Sequence, residues 1–86
     1  MNLNDIKIKI NKILEDINYN DYNNLDYRRK QFLLLSDEIK DRNIKHILID
    51  IAALIEPSSC IKNDYNDLTD IVIRKRVKAI IGEDNE

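Results

Sequence analysis

Apolar residues recur with a helical period along most of this chain, and the clearest case is the segment over residues 44–55. At about 100° per residue, seven apolar residues of this segment share one broad face: Ile44, Ile47, Leu48, Ile51, Ala52, Leu54 and Ile55. The opposite side carries charged residues, but also Ile49 and Ala53. A helix that is apolar around most of its circumference is usually buried on several sides. We therefore predict a central helix over residues 44–55, packed inside a small helical bundle.

The N-terminal segment carries a second apolar stripe, whose members are spaced alternately by three and four positions: Leu3, Ile6, Ile10, Ile13 and Ile17. This spacing predicts a helix over residues 3–18, with Asn2 or Asn4 as its N-cap. Apolar and polar residues also alternate over residues 6–10, which is compatible with a half-buried strand. The alternation stops there, whereas the helical pattern continues for four turns. We favour the helix.

Turn-forming residues divide the middle of the chain. The Asn- and Asp-rich stretch over residues 18–24 favours local side-chain to backbone bonds over helix, so it predicts a turn. A second helix is predicted over residues 25–41, followed by a tight corner in which Asn43 caps the central helix. Pro57 ends the central helix, because the residue before a proline avoids the helical region.

The last predicted helix covers residues 66–81, and its apolar residues fall on two arcs. The first arc holds Tyr65, Leu68, Ile71, Val72 and Ala79, and the second holds Ile73, Val77, Ile80 and Ile81. One arc can be buried against the bundle, which leaves the second without an intramolecular partner. Residues 71–81 also alternate as a strand would, although Lys75 interrupts that pattern.

Length and composition are those of one folded domain over residues 1–86. The chain is 43% hydrophobic and 35% charged, with a formal net charge of −2, so it has no overall basic field for nucleic acid or an anionic membrane. A single cysteine cannot form an internal disulfide, which favours a reducing compartment. We see no signal peptide, and no apolar run approaches the roughly 20 residues that span a bilayer. We predict an all-α, three- to four-helix bundle located in the cytoplasm.

Few residues have the pattern that catalysis or metal binding requires. His46 and Asp50 lie four positions apart on the central helix, where a carboxylate can orient an imidazole. There is no second histidine, no cysteine pair and no glycine-rich turn. Cys60 has Lys62 nearby but also Asp64, so its surroundings do not predict a reactive thiol. We therefore predict no catalytic residue, no metal site, no cofactor, no small-molecule substrate and no enzymatic activity.

A cluster of tyrosines and acids is the first candidate interface: Tyr19, Asp21, Tyr22, Asp26 and Tyr27. Surface tyrosines supply contact area at modest entropic cost, and neighbouring acids would select a basic partner. The second candidate is the unpartnered arc of the last helix, Ile73, Val77, Ile80 and Ile81. We predict a non-enzymatic binding module that occupies a partner protein, as an inhibitor, immunity-type protein or accessory subunit, or that homo-oligomerises.

Nucleic-acid binding is the alternative prediction. The last helix carries a basic cluster that would contact phosphates: Arg74, Lys75, Arg76 and Lys78. Residues 50–55 also have the apolar and alanine spacing of the first helix of a helix-turn-helix motif. The following turn contains Glu56 and Pro57, and the recognition helix would be the acidic segment 63–67, which DNA repels. We rank this interpretation second.

Overall fold

The computed structural model describes residues 2–62 and 64–81, and throughout these ranges the regular secondary structure is helical. Five helices follow one another along the chain: α1 (Leu3–Leu14), α2 (Tyr22–Asp37), α3 (Arg42–Leu54), α4 (Pro57–Ile61) and α5 (Asn66–Ile81). The predicted all-α bundle is confirmed, with four longer helices and the short α4. Helix, not strand, is found over both segments for which a strand was the alternative, 6–10 and 71–81.

The core lies between α2, α3, α1 and α5. The contact between α2 and α3 is the most extensive, while α5 packs against α3 and α1. Every long helix contributes at least one side chain with no exposed surface: Ile10, Leu25, Phe32, Leu48, Ile51, Ile55 (directly after α3) and Ile73. Interdigitated burial of this kind supplies most of the stability of a small bundle.

Side chains of the preceding residues set where the helices begin. Asn2 accepts a hydrogen bond from the Asp5 amide at 2.8 Å, so of the two predicted caps, Asn2 and Asn4, the structure uses Asn2. Asp21 caps α2, which therefore starts earlier than predicted. Asp41, not Asn43, caps α3 by accepting from the amides of Asn43 and Ile44 at 2.8 and 3.3 Å. These bonds satisfy amides that have no partner within their own helix.

Backbone conformation explains why α1 is shorter than predicted. The helix ends at Leu14, the backbone of Glu15 is extended, and Asp16 has a φ of 59°. Aspartate tolerates this left-handed conformation better than most residues, but a right-handed helix cannot continue through it. Ile17 still packs against the core from outside the helix.

Pro57 has two roles. It prevents α3 from continuing, as predicted, and it occupies the first turn of α4, where its missing N–H costs no hydrogen bond. The Glu56 carboxylate caps α4 by accepting from the Ser59 amide at 2.9 Å. This bond to the Ser59 backbone lowers the pKa of Glu56.

The structure buries the second apolar arc of α5, which was predicted to be exposed, and exposes the first arc. Ile73, Val77 and Ile80 are 0, 6 and 7% exposed and belong to the core. The prediction that their arc lacks an intramolecular partner is wrong, and these three residues are not available to another protein. The side chain of Ile81, the fourth member, lies outside the described part of the structure.

At 100° per residue, Lys75 lies near the middle of the first arc, so burying that arc would bury an ammonium group. Asp70 lies toward one edge of the second arc, where its carboxylate stays partly exposed and accepts a hydrogen bond from Tyr19.

Candidate functional site

The main exposed apolar surface of α5 is the arc that faces away from the core, which we call the outer face. Four large side chains define it: Tyr65, Leu68, Ile71 and Val72, which are 69, 59, 51 and 38% exposed. Leu68 lies three positions from Tyr65 and Ile71 and four from Val72, so it is their neighbour on one side of the helix. Tyr65 lies directly before α5, and its carbonyl accepts from the amides of Leu68 and Thr69. The outer face is thus a continuous apolar strip that begins directly before α5 and follows its first half.

Charged residues surround this strip with opposite signs at its two ends. Asp64 and Asp67 are exposed at the N-terminal end, and Lys75 and Lys78 are exposed in the C-terminal half. An acid near a helix N-terminus and a base near its C-terminus also interact favourably with the helix dipole. The outer face therefore combines apolar area with a charge gradient along its length.

A hydrogen bond on the opposite side of α5 holds this helix to the α1–α2 connection. The hydroxyl group of Tyr19 donates to Asp70 Oδ1 at 2.7 Å, and Arg74 Nε donates to Asp70 Oδ2 at 3.4 Å. Burial, and then the hydrogen bond to the Asp70 carboxylate, raise the pKa of Tyr19 well above its ordinary value. Tyr19 is only partly accessible and packs against the core. Its main contact is within the protein.

The other members of the tyrosine and acid cluster do not form one surface of uniform charge. Asp21 is the N-cap of α2, and Tyr22 and Tyr27 are about half exposed. Asp26 accepts from Arg29 at 2.8 Å and lies 2.9 Å from Lys30 Nζ. These two cations, Arg29 first, lower the pKa of Asp26. Its charge is largely balanced within α2, which weakens the predicted attraction for a basic partner.

The basic cluster of α5 is also partly balanced. Arg74 pairs with Asp70, and Arg76 Nη1 lies 4.0 Å from Asp50 Oδ2 on α3. All four cations of the cluster are exposed on the helix surface: Arg74, Lys75, Arg76 and Lys78. Two of them face carboxylates, and acids also flank the N-terminal half of the same helix. This arrangement is unfavourable for a phosphate backbone, which needs several uncompensated cations on one face.

A shallow groove of about 350 Å³ separates α1 from α2. Its walls mix apolar side chains with the cations Lys9, Lys12 and Arg28 and with the acid Glu38. Lys9 Nζ lies 3.9 Å from Glu38 Oε2, and the Arg28 guanidinium stacks 5.4 Å from the Tyr27 ring centre. The groove offers charge and contact area but no pairing of a nucleophile with a base.

The residues considered for chemistry do not converge. His46 is exposed on α3, and the Asp50 carboxylate lies near Arg76. Within residues 2–62 and 64–81, no group of three or more His, Cys, Asp or Glu side chains could hold a metal ion. The Cys60 thiol is buried, 3.4 Å from the Leu54 carbonyl oxygen. Burial, and then the nearby Glu56, raise the pKa of Cys60, which disfavours the reactive thiolate.

Comparison with protein-family models, with curated proteins and with solved structures gives no match to this chain. In the part of the chain that the structure describes, no helix combines the length and the apolar character that crossing a membrane requires. The outer face of α5 is therefore identified from its geometry alone. Sequence reasoning found both arcs of this helix but chose the wrong one as the exposed surface. Lys75 was the signal that could have distinguished them.

Proposed function

We propose that this protein is a non-enzymatic binding module that recognises another protein chain through the outer face of α5. The observation that carries the proposal is the exposure of four large apolar side chains, Tyr65, Leu68, Ile71 and Val72, along α5 and the residue that precedes it. Scattered exposed apolar residues need no explanation, but a contiguous strip of them does. Covering the strip with a partner would remove this apolar area from water.

The size of the strip supports an interface. The four exposed fractions, applied to side chains of roughly 150–200 Å² each, give an apolar area of roughly 400 Å². The largest apolar patch on a typical monomeric protein covers about 300–600 Å² and often has a function. Aromatic and branched aliphatic side chains are suited to the centre of such a contact, with charged residues at its rim.

The surroundings of the strip favour protein over nucleic acid as the partner. Asp64 and Asp67 would repel a phosphate backbone, while Lys75 and Lys78 would attract it. A protein surface can match both signs at once. The biological roles consistent with this mode are those of an inhibitor, an immunity-type protein or an accessory subunit, and a single buried cysteine is consistent with a cytoplasmic location.

Two leucines that are equally exposed provide a matched test. Leu68 lies on the outer face of α5 and Leu34 on α2, and each is 59% exposed. Leu68→Glu and Leu34→Glu add the same charge and remove the same apolar side chain at similar accessibility. The wild-type protein and both variants would be immobilised to capture partners from a native lysate, with quantitative mass spectrometry, and their self-association would be measured by sedimentation.

We expect Leu68→Glu to abolish the dominant interaction and Leu34→Glu to preserve it. Circular dichroism of both variants confirms that each is folded. Equal binding by the wild-type protein and Leu68→Glu would contradict the proposal. So would a wild-type protein that neither captures a partner nor self-associates.

A further inference from the structure

The outward residues of α5 follow a coiled-coil spacing. Their positions are separated alternately by three and four residues: Tyr65, Leu68, Val72, Lys75 and Ala79. All five are exposed, and 38% of the surface of Val72 is accessible to solvent. A spacing of 3.5 residues on average is that of the seam between two helices that pack side by side. The outer face therefore has the geometry to receive one further helix.

We propose that this helix is α5 of a second copy of the chain, packed antiparallel about a two-fold axis that passes near Ile71. This proposal rests on the proposed function, since it names the partner of the same surface. In an antiparallel pair with this axis, Leu68 packs beside Val72 of the partner subunit, and the same contact recurs through symmetry. Ile71 meets its own symmetry copy beside the seam.

Charge selects the antiparallel orientation. Ile71 and Lys78 are seven residues apart and follow one flank of the seam, and Asp64 is exposed in the turn that leads into the N-terminal end of α5. In the antiparallel pair, Asp64 of one protomer faces the partner's Lys78, and the reverse pair forms at the other end. A parallel pair would place Lys75 beside its own copy within the seam and would leave Asp64 and Lys78 at opposite ends of the pair. Opposed helix dipoles also favour the antiparallel arrangement.

Lys75 gains a contact in the same arrangement. A lysine within a seam usually reduces stability, but it also restricts the register and the number of chains. In the antiparallel pair, Lys75 lies opposite the partner's Tyr65. Its aliphatic stem can cover the ring while the ammonium group remains near the ring face or in water. The residue that prevents burial of this arc in the monomer is thus compatible with the dimer.

The contact is small, which sets the expected affinity. Two outer faces contribute roughly 800 Å² of apolar area, below the roughly 1,200–2,000 Å² of stable complexes. We therefore expect a weak, reversible dimer whose population depends on protein concentration.

Exchange of charges tests the arrangement directly. Asp64→Lys places two lysines opposite each other at both ends of the dimer, and Lys78→Asp places two acids there. Because two symmetric pairs are affected, we expect each single variant to dimerise about tenfold more weakly than the wild-type protein. In an equimolar mixture, the heterodimer has attractive pairs at both ends, so mixing should restore affinity to near the wild-type value.

Sedimentation equilibrium over a concentration series measures all four samples, with Lys40→Asp, away from α5, as a control for the charge change of Lys78→Asp. A wild-type protein that stays monomeric up to about 1 mM would overturn the homodimer. A mixture that associates no more tightly than the single variants would overturn it too. If the homodimer fails but Leu68→Glu still abolishes capture of another protein, the proposed function stands and only this partner is wrong. If Leu68→Glu weakens neither homodimerisation nor the capture of another protein, the proposed function fails as well.

Discussion

Two isoleucines of α5, two residues apart, test which side of this helix is buried. Ile73 is 0% exposed in the core, whereas Ile71 is 51% exposed on the outer face. Each would be replaced by alanine. The two substitutions remove the same three carbon atoms and change intrinsic helix propensity by the same few tenths of a kcal/mol. Any difference between them therefore reports burial.

The size of the difference follows from the structure. At about 0.8 kcal/mol per buried carbon, Ile73→Ala loses about 2.4 kcal/mol of transfer free energy. The cavity left behind adds to this, so we expect a total loss of about 3–4 kcal/mol. Ile71→Ala loses at most half of the transfer contribution, creates no cavity and gains helix propensity, so we expect a loss below about 1 kcal/mol.

These losses matter for so small a protein. At roughly 0.05–0.15 kcal/mol per residue, 86 residues give a free energy of unfolding of roughly 4–13 kcal/mol. Ile73→Ala should remove a large part of it and lower the Tm by more than about 10 °C. Urea unfolding followed by circular dichroism measures both variants at low concentration, where self-association does not contribute. Equal losses, or a larger loss for Ile71→Ala, would refute the orientation of α5.

Further predictions concern the connections between elements. Tyr19→Phe removes the bond to Asp70 and should lower the free energy of unfolding by about 1–2 kcal/mol in urea titrations. The pKa of Tyr19 is higher in the folded than in the unfolded state, so the stability that this residue contributes should be fully present below about pH 10 and decline above it. The free energy of unfolding of Tyr19→Phe should not show that decline. Asp41→Ala should lower the free energy of unfolding by about 1 kcal/mol, because it removes the α3 cap, and Asn43→Ala should lower it much less. Thermal unfolding of both variants measures the difference. Cys60 should resist a thiol reagent at neutral pH in the folded protein and react after denaturation, and rapid labelling of the native state would contradict its burial.

The periodicity of apolar residues was sufficient to predict the helical class and the approximate location of four helices. The last helix, Asn66–Ile81, has the predicted bounds, and α3 differs from its prediction by two residues at the start and one at the end. An apolar repeat over three or four helical turns identifies the buried face of a helix, whichever elements pack against that face. The short α4, Pro57–Ile61, was not predicted, because five residues carry too little periodicity to indicate a helix.

The errors arose where a local feature competes with periodicity. The apolar stripe of the first segment continues to Ile17, but the extended backbone of Glu15 and the left-handed backbone of Asp16 end the helix before it. Asp41 and Asn43 are both suitable caps, and only the direction of the chain at the corner decides between them.

The candidate site was harder to predict for a related reason. Either arc of α5 could be buried when the helix is considered alone, and packing against α3 and α1 decides between them. The cost of burying Lys75 is the part of that decision that the sequence already contained. The bond between Tyr19 and Asp70 joins residues 51 positions apart, and no local pattern marks it.

Solvent accessibility of the isoleucine methyl groups tests the central claim most directly, because α5 carries isoleucines on both sides. The spectrum of a sample with labelled isoleucine methyl groups would be recorded with a soluble paramagnetic agent, first in dilute and then in concentrated protein. We expect the Ile71 signal to broaden strongly in the dilute sample while those of Ile73 and Ile80 stay sharp, and the Ile71 signal to become protected as concentration rises. Broadening of Ile73 as strong as that of Ile71, or an Ile71 signal shielded even at the lowest concentration, would contradict the account.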